Sequence, residues 1–128
     1  KEKKAIVVGT GGASKAILFV LKMMSFEITQ VSRTESEDTL TYVDLNRSII
    51  SQNYLIINCT PLGTFPDIHK FPDIPYEFLS KDHLAFDLTY NPRETQFIKR
   101  SKAQGARVSN GLKMLEYQAK ESLAIWKS

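Results

Sequence analysis

The sequence predicts an α/β fold in which a doubly wound, mostly parallel six-stranded sheet carries helices on both faces. Short apolar segments rich in β-branched residues alternate along the chain with segments whose apolar residues recur at helical spacing. The links between these segments are short, and such alternation is typical of a parallel sheet with strand order 3-2-1-4-5-6. The 128 residues suffice for one domain.

The predicted elements follow one another from residue 4. Strands are expected at residues 4–8, 26–32, 40–43, 54–59, 83–88 and 106–109, and one helical turn at 76–79. Helices are expected at residues 13–24, 44–52, 92–104 and 112–126. Asp44 is the predicted N-cap of the second helix. Pro92 and Glu94 mark the start of the third helix, and Gly105 marks its end.

Composition narrows the function classes. The net charge is only +3 and the basic residues are scattered, so nucleic acid is not an expected partner. No apolar run is long enough to span a membrane, and the one cysteine rules out an intrachain disulfide. A cytoplasmic location is therefore expected. Cys59 is interpreted as a packing residue and His69 and His83 as solvated, and no residues have metal-ligand spacing.

A glycine-rich turn links the first strand to the first helix. It comprises Gly9, Thr10, Gly11, Gly12 and Ala13, and Ser14 stands where a third glycine is usual. Glycines let the backbone bend sharply and approach a ligand closely, and the start of the helix directs N–H groups and a positive dipole end towards it. This pattern predicts a pyrophosphate site of a dinucleotide cofactor.

The second strand ends in Ser32, Arg33 and Thr34. In a dinucleotide fold this end lies beside the adenosine ribose, where an acid would bind a free 2′-hydroxyl and repel a 2′-phosphate. The planar, charged fork of Arg33 suits a phosphate, which favours NADP over NAD. Three acids follow closely and would weaken such a site if they turned inward: Glu35, Glu37 and Asp38.

Five segments together resemble the C-terminal, NADP-binding domain of shikimate dehydrogenases, over essentially the whole chain. They are Gly9–Ser14, Ser32–Thr34, Asn58–Gly63, Asp87–Pro92 and Asn110–Gln118. The resemblance implies a Rossmann-like domain of an oxidoreductase that reversibly reduces 3-dehydroshikimate to shikimate with NADPH, in the chorismate route to aromatic amino acids.

The resemblance also implies site residues. The glycine turn matches the family's pyrophosphate turn, and Ser32, Arg33 and Thr34 match its Asn-Arg-Thr adenosine clamp, with serine for asparagine. Glu37 stands where the family often carries a further arginine. Three positions resemble those on the nicotinamide side: Thr60, Leu88 and Gly111. Two resemble the residues that this domain lends to the substrate: Tyr90 and Gln118.

The family's catalytic lysine–aspartate pair lies in an N-terminal domain that nothing in this chain matches. Residues 1–128 are thus expected to be the NADP-binding domain alone, able to bind NADP(H) but not to turn over shikimate. The face of the last helix that the family packs on that domain would then favour self-association. Alternatives are a quinate/shikimate dehydrogenase using NAD, the related domain of glutamyl-tRNA reductases, and a non-catalytic dinucleotide-binding module. The oligomeric state stays open.

Overall fold

The computed structural model describes residues 3–34, 36–89 and 92–111. The strands in these ranges are β1 (Lys4–Val8), β2 (Glu27–Ser32), β3 (Leu40–Thr41), β4 (Leu55–Asn58), β5 (Leu84–Asp87) and β6 (Arg107–Asn110). The helices are α1 (Gly12–Met23), α2 (Arg47–Gln52) and α3 (Gln96–Ala103), with 3₁₀ turns at Tyr42–Asp44 and Tyr76–Phe78. The predicted helix at 112–126 lies outside the described residues.

The strands form one sheet in the order β3-β2-β1-β4-β5-β6, and every neighbouring pair is parallel. The predicted fold class and strand order are therefore confirmed. Four strand ends lie level across the sheet, because Val8 pairs with Asn58, Asn58 with Asp87, and Asp87 with Asn110. This register brings the carboxyl ends of β1, β4, β5 and β6 to one edge.

The core lies on both faces of the sheet. Alternate residues of β1 point to opposite sides, so Ala5 and Val7 pack towards α1 while Ile6 and Val8 pack towards α2 and α3. All four are fully buried, as expected of the centre of a parallel sheet covered on both sides. The apolar run of β1 thus fixes the position of the glycine turn that follows it.

The predicted start of α2 is wrong. The N-cap is Asn46, whose Oδ1 accepts from the Ile49 N–H at 2.9 Å. Asp44 instead accepts from the backbone N–H and the hydroxyl of Thr41, at 2.8 and 2.9 Å, and so stabilises the preceding 3₁₀ turn. Asp and Asn are equally good N-caps, so the sequence alone did not distinguish two candidates only two residues apart.

The predicted start of α3 is also wrong, although its end is confirmed. The N-cap is Thr95, a fully buried residue whose hydroxyl accepts from the Ile98 N–H at 3.2 Å. At the other end Gly105 has φ +89°, and the Ala106 N–H returns to the Ser101 carbonyl at 3.2 Å. That geometry is a Schellman motif, in which glycine is preferred.

The two histidines behave differently. His69 is exposed, as predicted, whereas the prediction that His83 is solvated is wrong because its side chain is buried. Its Nδ1 accepts from the Ser80 N–H at 3.0 Å, and its Nε2 lies 2.8 Å from the Ile50 carbonyl. His83 therefore joins β5 to the end of α2 as a structural residue. None of the described helices is long and apolar enough to cross a membrane.

Candidate functional site

A cleft of about 310 Å³ opens at the carboxyl ends of β1, β2 and β4. Its lining residues come from four separate parts of the chain: Gly9, Thr10, Gly11, Ser32, Arg33, Thr34, Tyr42, Cys59, Thr60, Pro61 and Leu62. The strand order reverses direction here, since β1 pairs with β2 on one side and with β4 on the other. Open α/β sheets bind their ligands at this switch point.

Gly9 has a conformation and surroundings that exclude a side chain. Its φ is +116°, and a Cβ there would lie 3.2 Å from the Cys59 carbonyl carbon and 3.3 Å from the Thr60 N. The glycine turn therefore crosses tightly against the end of β4. Its position is fixed further by the Gly9 N–H, which donates to the Val31 carbonyl at 2.8 Å.

Gly11 and Gly12 differ from Gly9 in their surroundings. No atom lies within 4 Å of the place where a Cβ on Gly11 or Gly12 would stand, so the backbone is open on that side. Ser14 is fully buried and donates its hydroxyl to the Gly11 carbonyl at 2.6 Å. A small residue with a satisfied hydroxyl thus replaces the usual third glycine without opening the packing of α1 on the sheet.

Gln30 also supports the turn, although its sequence position gave it no predicted role. Its Nε2 donates to the Gly9 carbonyl at 2.8 Å. Gln30 pairs in register with Val7, which places its side chain next to the end of β1. The signal available in the sequence was a long polar residue inside a strand that is otherwise partly buried.

The predicted adenosine clamp lies at the other side of the cleft. Ser32 accepts from the Thr34 N–H at 3.1 Å, which turns the chain after β2 and leaves Arg33 and Thr34 exposed. Glu37 and Asp38 are exposed and do not line the cleft, whereas Glu35 lies outside the described residues. Neither Glu37 nor Asp38 therefore competes with an anion inside the cleft.

Tyr42 lines the cleft and is a further residue that the sequence interpretation missed. Burial raises the pKa of its phenol, and the nearby positive charge of Arg33 opposes that effect. The ring thus stands beside the guanidinium as a neutral, partly apolar wall. Its place depends on how the short β3 joins β2, which no local pattern around residue 42 indicates.

The prediction for Cys59 agrees with the structure. Its side chain is buried, and burial together with the charge of Asp87 raises the pKa of the thiol to about 12. A thiol that stays protonated at neutral pH is a poor nucleophile. Cys59 is therefore a packing residue at the floor of the cleft.

The remaining predicted site residues lie at different distances from this cleft. Thr60 lines it, whereas Gly12, Ala13, Leu88 and Gly111 do not. Leu88 is nevertheless joined to the end of β4, where its N–H donates to the Asn58 carbonyl at 3.3 Å. The two predicted substrate residues, Tyr90 and Gln118, lie outside the described residues.

The chemistry of the lining suits an anionic ligand. Arginine, hydroxyls and open glycine backbone supply donors, and the ionisable side chains among the described lining residues are Arg33, Tyr42 and Cys59. The pKa values of Tyr42 and Cys59 are both raised, so neither side chain loses a proton readily near neutral pH. Among the described residues no group of three His, Cys, Asp or Glu side chains could hold a metal ion.

Comparison with known proteins identifies relatives that are named shikimate dehydrogenase. The NADP(+)-dependent shikimate dehydrogenase of Methanococcus vannielii is 37% identical, over 97% of this chain and 50% of that protein. The enzyme of the same name from Desulforamulus reducens is 31% identical, over 97% of this chain and 49% of that protein. No protein-family model matches the chain.

A solved structure of a shikimate dehydrogenase in complex with NADP⁺ agrees in fold. It superposes with a TM-score of 0.71 at 30% identity and covers 98% of this chain and 49% of that one. The chain thus spans about half the length of the relatives that it matches. The chain is therefore homologous to the shikimate dehydrogenases over about half of their length.

Proposed function

We propose that this chain is the NADP-binding domain of a shikimate dehydrogenase. In the proposed reaction 3-dehydroshikimate is reduced reversibly to shikimate with NADPH. The observation that carries the proposal is the cleft, because it brings the glycine turn, Arg33 and Thr60 together at the switch point of the sheet. The relatives named NADP(+)-dependent shikimate dehydrogenase support the same cofactor and substrate.

The residues present fit a dinucleotide. The backbone at Gly11 and Gly12 is open where a Cβ would otherwise stand, which leaves room for a pyrophosphate beside the start of α1. We assign the pyrophosphate to the glycine turn, from Gly9 to Ala13. We assign the 2′-phosphate and adenosine to Ser32, Arg33 and Thr34, since a guanidinium binds phosphate through two parallel hydrogen bonds.

The nicotinamide end is assigned to three positions, Thr60, Leu88 and Gly111. They occupy the same carboxyl edge of the sheet, at the ends of β4, β5 and β6. Tyr90 and Gln118 are the proposed substrate residues, since a phenol and an amide can hydrogen-bond the hydroxyls or carboxylate of shikimate.

The mechanism divides between two parts of the enzyme. NADPH supplies a hydride when bound, and the residues of this chain hold it in place and orient it at the edge of the sheet. Because the described lining residues offer no suitable acid or base, we assign the proton transfer to a lysine–aspartate pair in an N-terminal domain. The substrate is bound between the two domains.

Calorimetric titration of the 128-residue chain with NADPH and with NADH tests the proposal. The wild-type chain should bind NADPH more tightly. In Arg33→Ala the affinity for NADPH should fall roughly ten- to a hundredfold, because one charge-assisted contact contributes about 1.5–3 kcal/mol. The affinity for NADH should fall by less, since NADH lacks the 2′-phosphate and keeps only the adenosine.

Arg47→Ala is the matched control. It removes the same charge, but Arg47 lies on α2 over the Phe78 ring, with its guanidinium carbon 4.6 Å from the ring centroid. Its affinity for NADPH should equal that of the wild type. No binding of NADPH by the folded wild-type chain, or tighter binding of NADH, would contradict the proposal.

A further inference from the structure

Asp87, at the carboxyl end of β5, is fully buried and carries no role in the proposed chemistry. Three donors form hydrogen bonds with its carboxylate. Asn58 Nδ2 and the Thr95 hydroxyl donate to Oδ2 at 3.2 and 2.6 Å, and the Thr89 N–H donates to Oδ1 at 3.0 Å. A buried carboxylate is costly without such partners, and these three hydrogen bonds offset that cost.

The first connection runs to the cleft. The amide of Asn58 donates through Nδ2 to Asp87, and its Oδ1 accepts from the Thr60 N–H at 3.0 Å and the Thr60 hydroxyl at 2.7 Å. The Thr60 hydroxyl in turn accepts from the Leu62 N–H at 3.2 Å. Because a carboxylate only accepts, it selects the orientation in which the Asn58 oxygen faces Thr60.

Two further connections start from the Asp87 backbone. Its carbonyl accepts from the Gly111 N–H at 2.9 Å, and Leu88 follows it directly and donates to the Asn58 carbonyl. Asp87 is thus linked to all three positions assigned to the nicotinamide end. The links are two hydrogen bonds through Asn58 to Thr60, one hydrogen bond to Gly111 and one peptide bond to Leu88. The pyrophosphate turn and the adenosine clamp have no contact of this kind with Asp87 in the part of the chain that the structure describes.

We propose that Asp87 is the positioning residue for the nicotinamide end of the cleft and acts by fixing the Asn58 amide and, through it, Thr60. The inference rests on the proposed function. Desolvation raises the pKa of the Asp87 carboxyl, and the hydrogen bonds from Thr95, Thr89 and Asn58 oppose that rise. These three hydrogen bonds thus favour the carboxylate form of Asp87, which accepts from all three donors.

Asp87→Asn replaces one of the two acceptor oxygens with a donor nitrogen. In one orientation the new amide nitrogen faces the Thr89 N–H, and in the other it faces both the Asn58 amide nitrogen and the Thr95 hydroxyl. If Asn58 flips to compensate, its nitrogen faces the two donors of Thr60. The first arrangement sets a donor against the Thr89 N–H, next to Leu88, and the others set one against the Asn58 amide or against Thr60. In each arrangement a residue at or beside the nicotinamide end is therefore no longer held in one place.

The experiment compares NADPH with adenosine 2′,5′-bisphosphate, which carries the phosphorylated adenosine but no nicotinamide. In Asp87→Asn the affinity for NADPH should fall about tenfold, while the affinity for the bisphosphate should stay within about twofold. An equal fall for both ligands, or no fall for either, overturns the inference. Failure of the wild-type chain to bind NADPH would instead contradict the proposed function.

A double exchange provides the rescue. In Asn58→Asp/Asp87→Asn a carboxylate again accepts from both donors of Thr60 and from the amide nitrogen at position 87, and the amide oxygen accepts from the Thr89 N–H. The same nitrogen faces the Thr95 hydroxyl, which can accept as well as donate. The ratio of the affinity for NADPH to the affinity for the bisphosphate should return to within about threefold of the wild-type ratio. A folded double variant that keeps the selective loss of NADPH affinity overturns the inference.

If neither variant folds, two substitutions of Thr60 test the inference instead. Thr60→Val breaks the far end of the same set of hydrogen bonds, whereas Thr60→Ser keeps its hydroxyl. Thr60→Val should bind NADPH about tenfold more weakly with unchanged affinity for the bisphosphate, and Thr60→Ser should match the wild type. Equal affinities of the two variants for NADPH overturn the inference.

Discussion

The backbone of Gly11 has φ −77° and ψ −169°, an extended conformation open to any L-residue. Nothing lies within 4 Å of the place that its Cβ would take. Folding therefore does not require glycine here, whereas a pyrophosphate against the backbone does. Gly9 differs because its positive φ and its contact with β4 demand glycine whether or not a ligand binds.

Gly11→Ala should separate these two roles. Glycine is the better N-cap, and alanine restricts the unfolded chain more, so the free energy of unfolding should change by less than about 1 kcal/mol. The affinity for NADPH should fall at least about tenfold, because the new methyl group occupies space that the cofactor needs. Chemical denaturation and calorimetric titration of the same preparation measure both quantities.

The contrast with Gly9→Ala is the control. That variant should lose about 1–3 kcal/mol of folding stability, since it places a non-glycine residue at φ +116°. Wild-type affinity for NADPH in a folded Gly11→Ala variant would show that no ligand approaches this backbone.

The positions of Gly9 and Arg33 in the cleft could be predicted from their immediate sequence neighbours. Gly9 and Arg33 follow directly after strands, and their chemistry needs little beyond that position. Gln30 and Tyr42 could not be predicted, because each acts across a strand pair and its partner depends on register. Asp87 was within a recognised segment, but its role appears only once Asn58 lies beside it.

At the scale of elements, two N-caps illustrate how position changes the cost of losing a side chain. Asn46 caps α2 from an exposed position with a single hydrogen bond to the Ile49 N–H. Thr95 caps α3 from a fully buried one, and its hydroxyl also donates to Asp87 at 2.6 Å. The second cap thus ties the start of a helix to the end of β5.

Thr95→Val should lower the free energy of unfolding by about 2–3 kcal/mol, the cost of a lost cap plus a buried acceptor left short of a donor. Asn46→Ala should lower it by only about 1 kcal/mol, because water replaces the lost bond. Urea denaturation of both variants and of Thr95→Ser, which keeps the hydroxyl, makes the comparison. Equal losses in Thr95→Val and Asn46→Ala would show that the bond to Asp87 adds nothing.

The strands were predictable because continuous apolar runs such as that of β1 can be buried in few other ways. Helix starts were less predictable, because several polar residues near each start could serve as a cap. Pro92 and Glu94 suited the start of α3 by type, yet the buried Thr95 takes that place through its tertiary contact. Local sequence carries no information on such a contact.

At the scale of the whole molecule, the cleft is better suited to binding a cofactor than to catalysing proton transfer. The ionisable groups among its described lining residues are a guanidinium, a phenol of raised pKa and a thiol whose pKa is about 12. General acid–base catalysis at neutral pH works best with a group whose pKa lies near the working pH. The proposed reaction therefore needs a proton donor from elsewhere.

The 128-residue chain should bind NADPH and yet produce none from NADP⁺ and shikimate. The absorbance of NADPH followed over time measures production, and calorimetric titration of the same sample establishes that the cofactor site is intact. NADPH formation in proportion to chain concentration, above the protein-free rate, would show that this chain supplies its own acid and base.

The sheet ends on one side in β3, a strand of two residues, followed at once by a 3₁₀ turn. So short an edge offers another chain very few free backbone groups, and the turn directs the backbone away before a longer ladder can form. The fold thereby resists growth by strand addition at the edge nearest the adenosine clamp. A short β3 therefore limits strand addition at this edge and also places Tyr42 in the cleft.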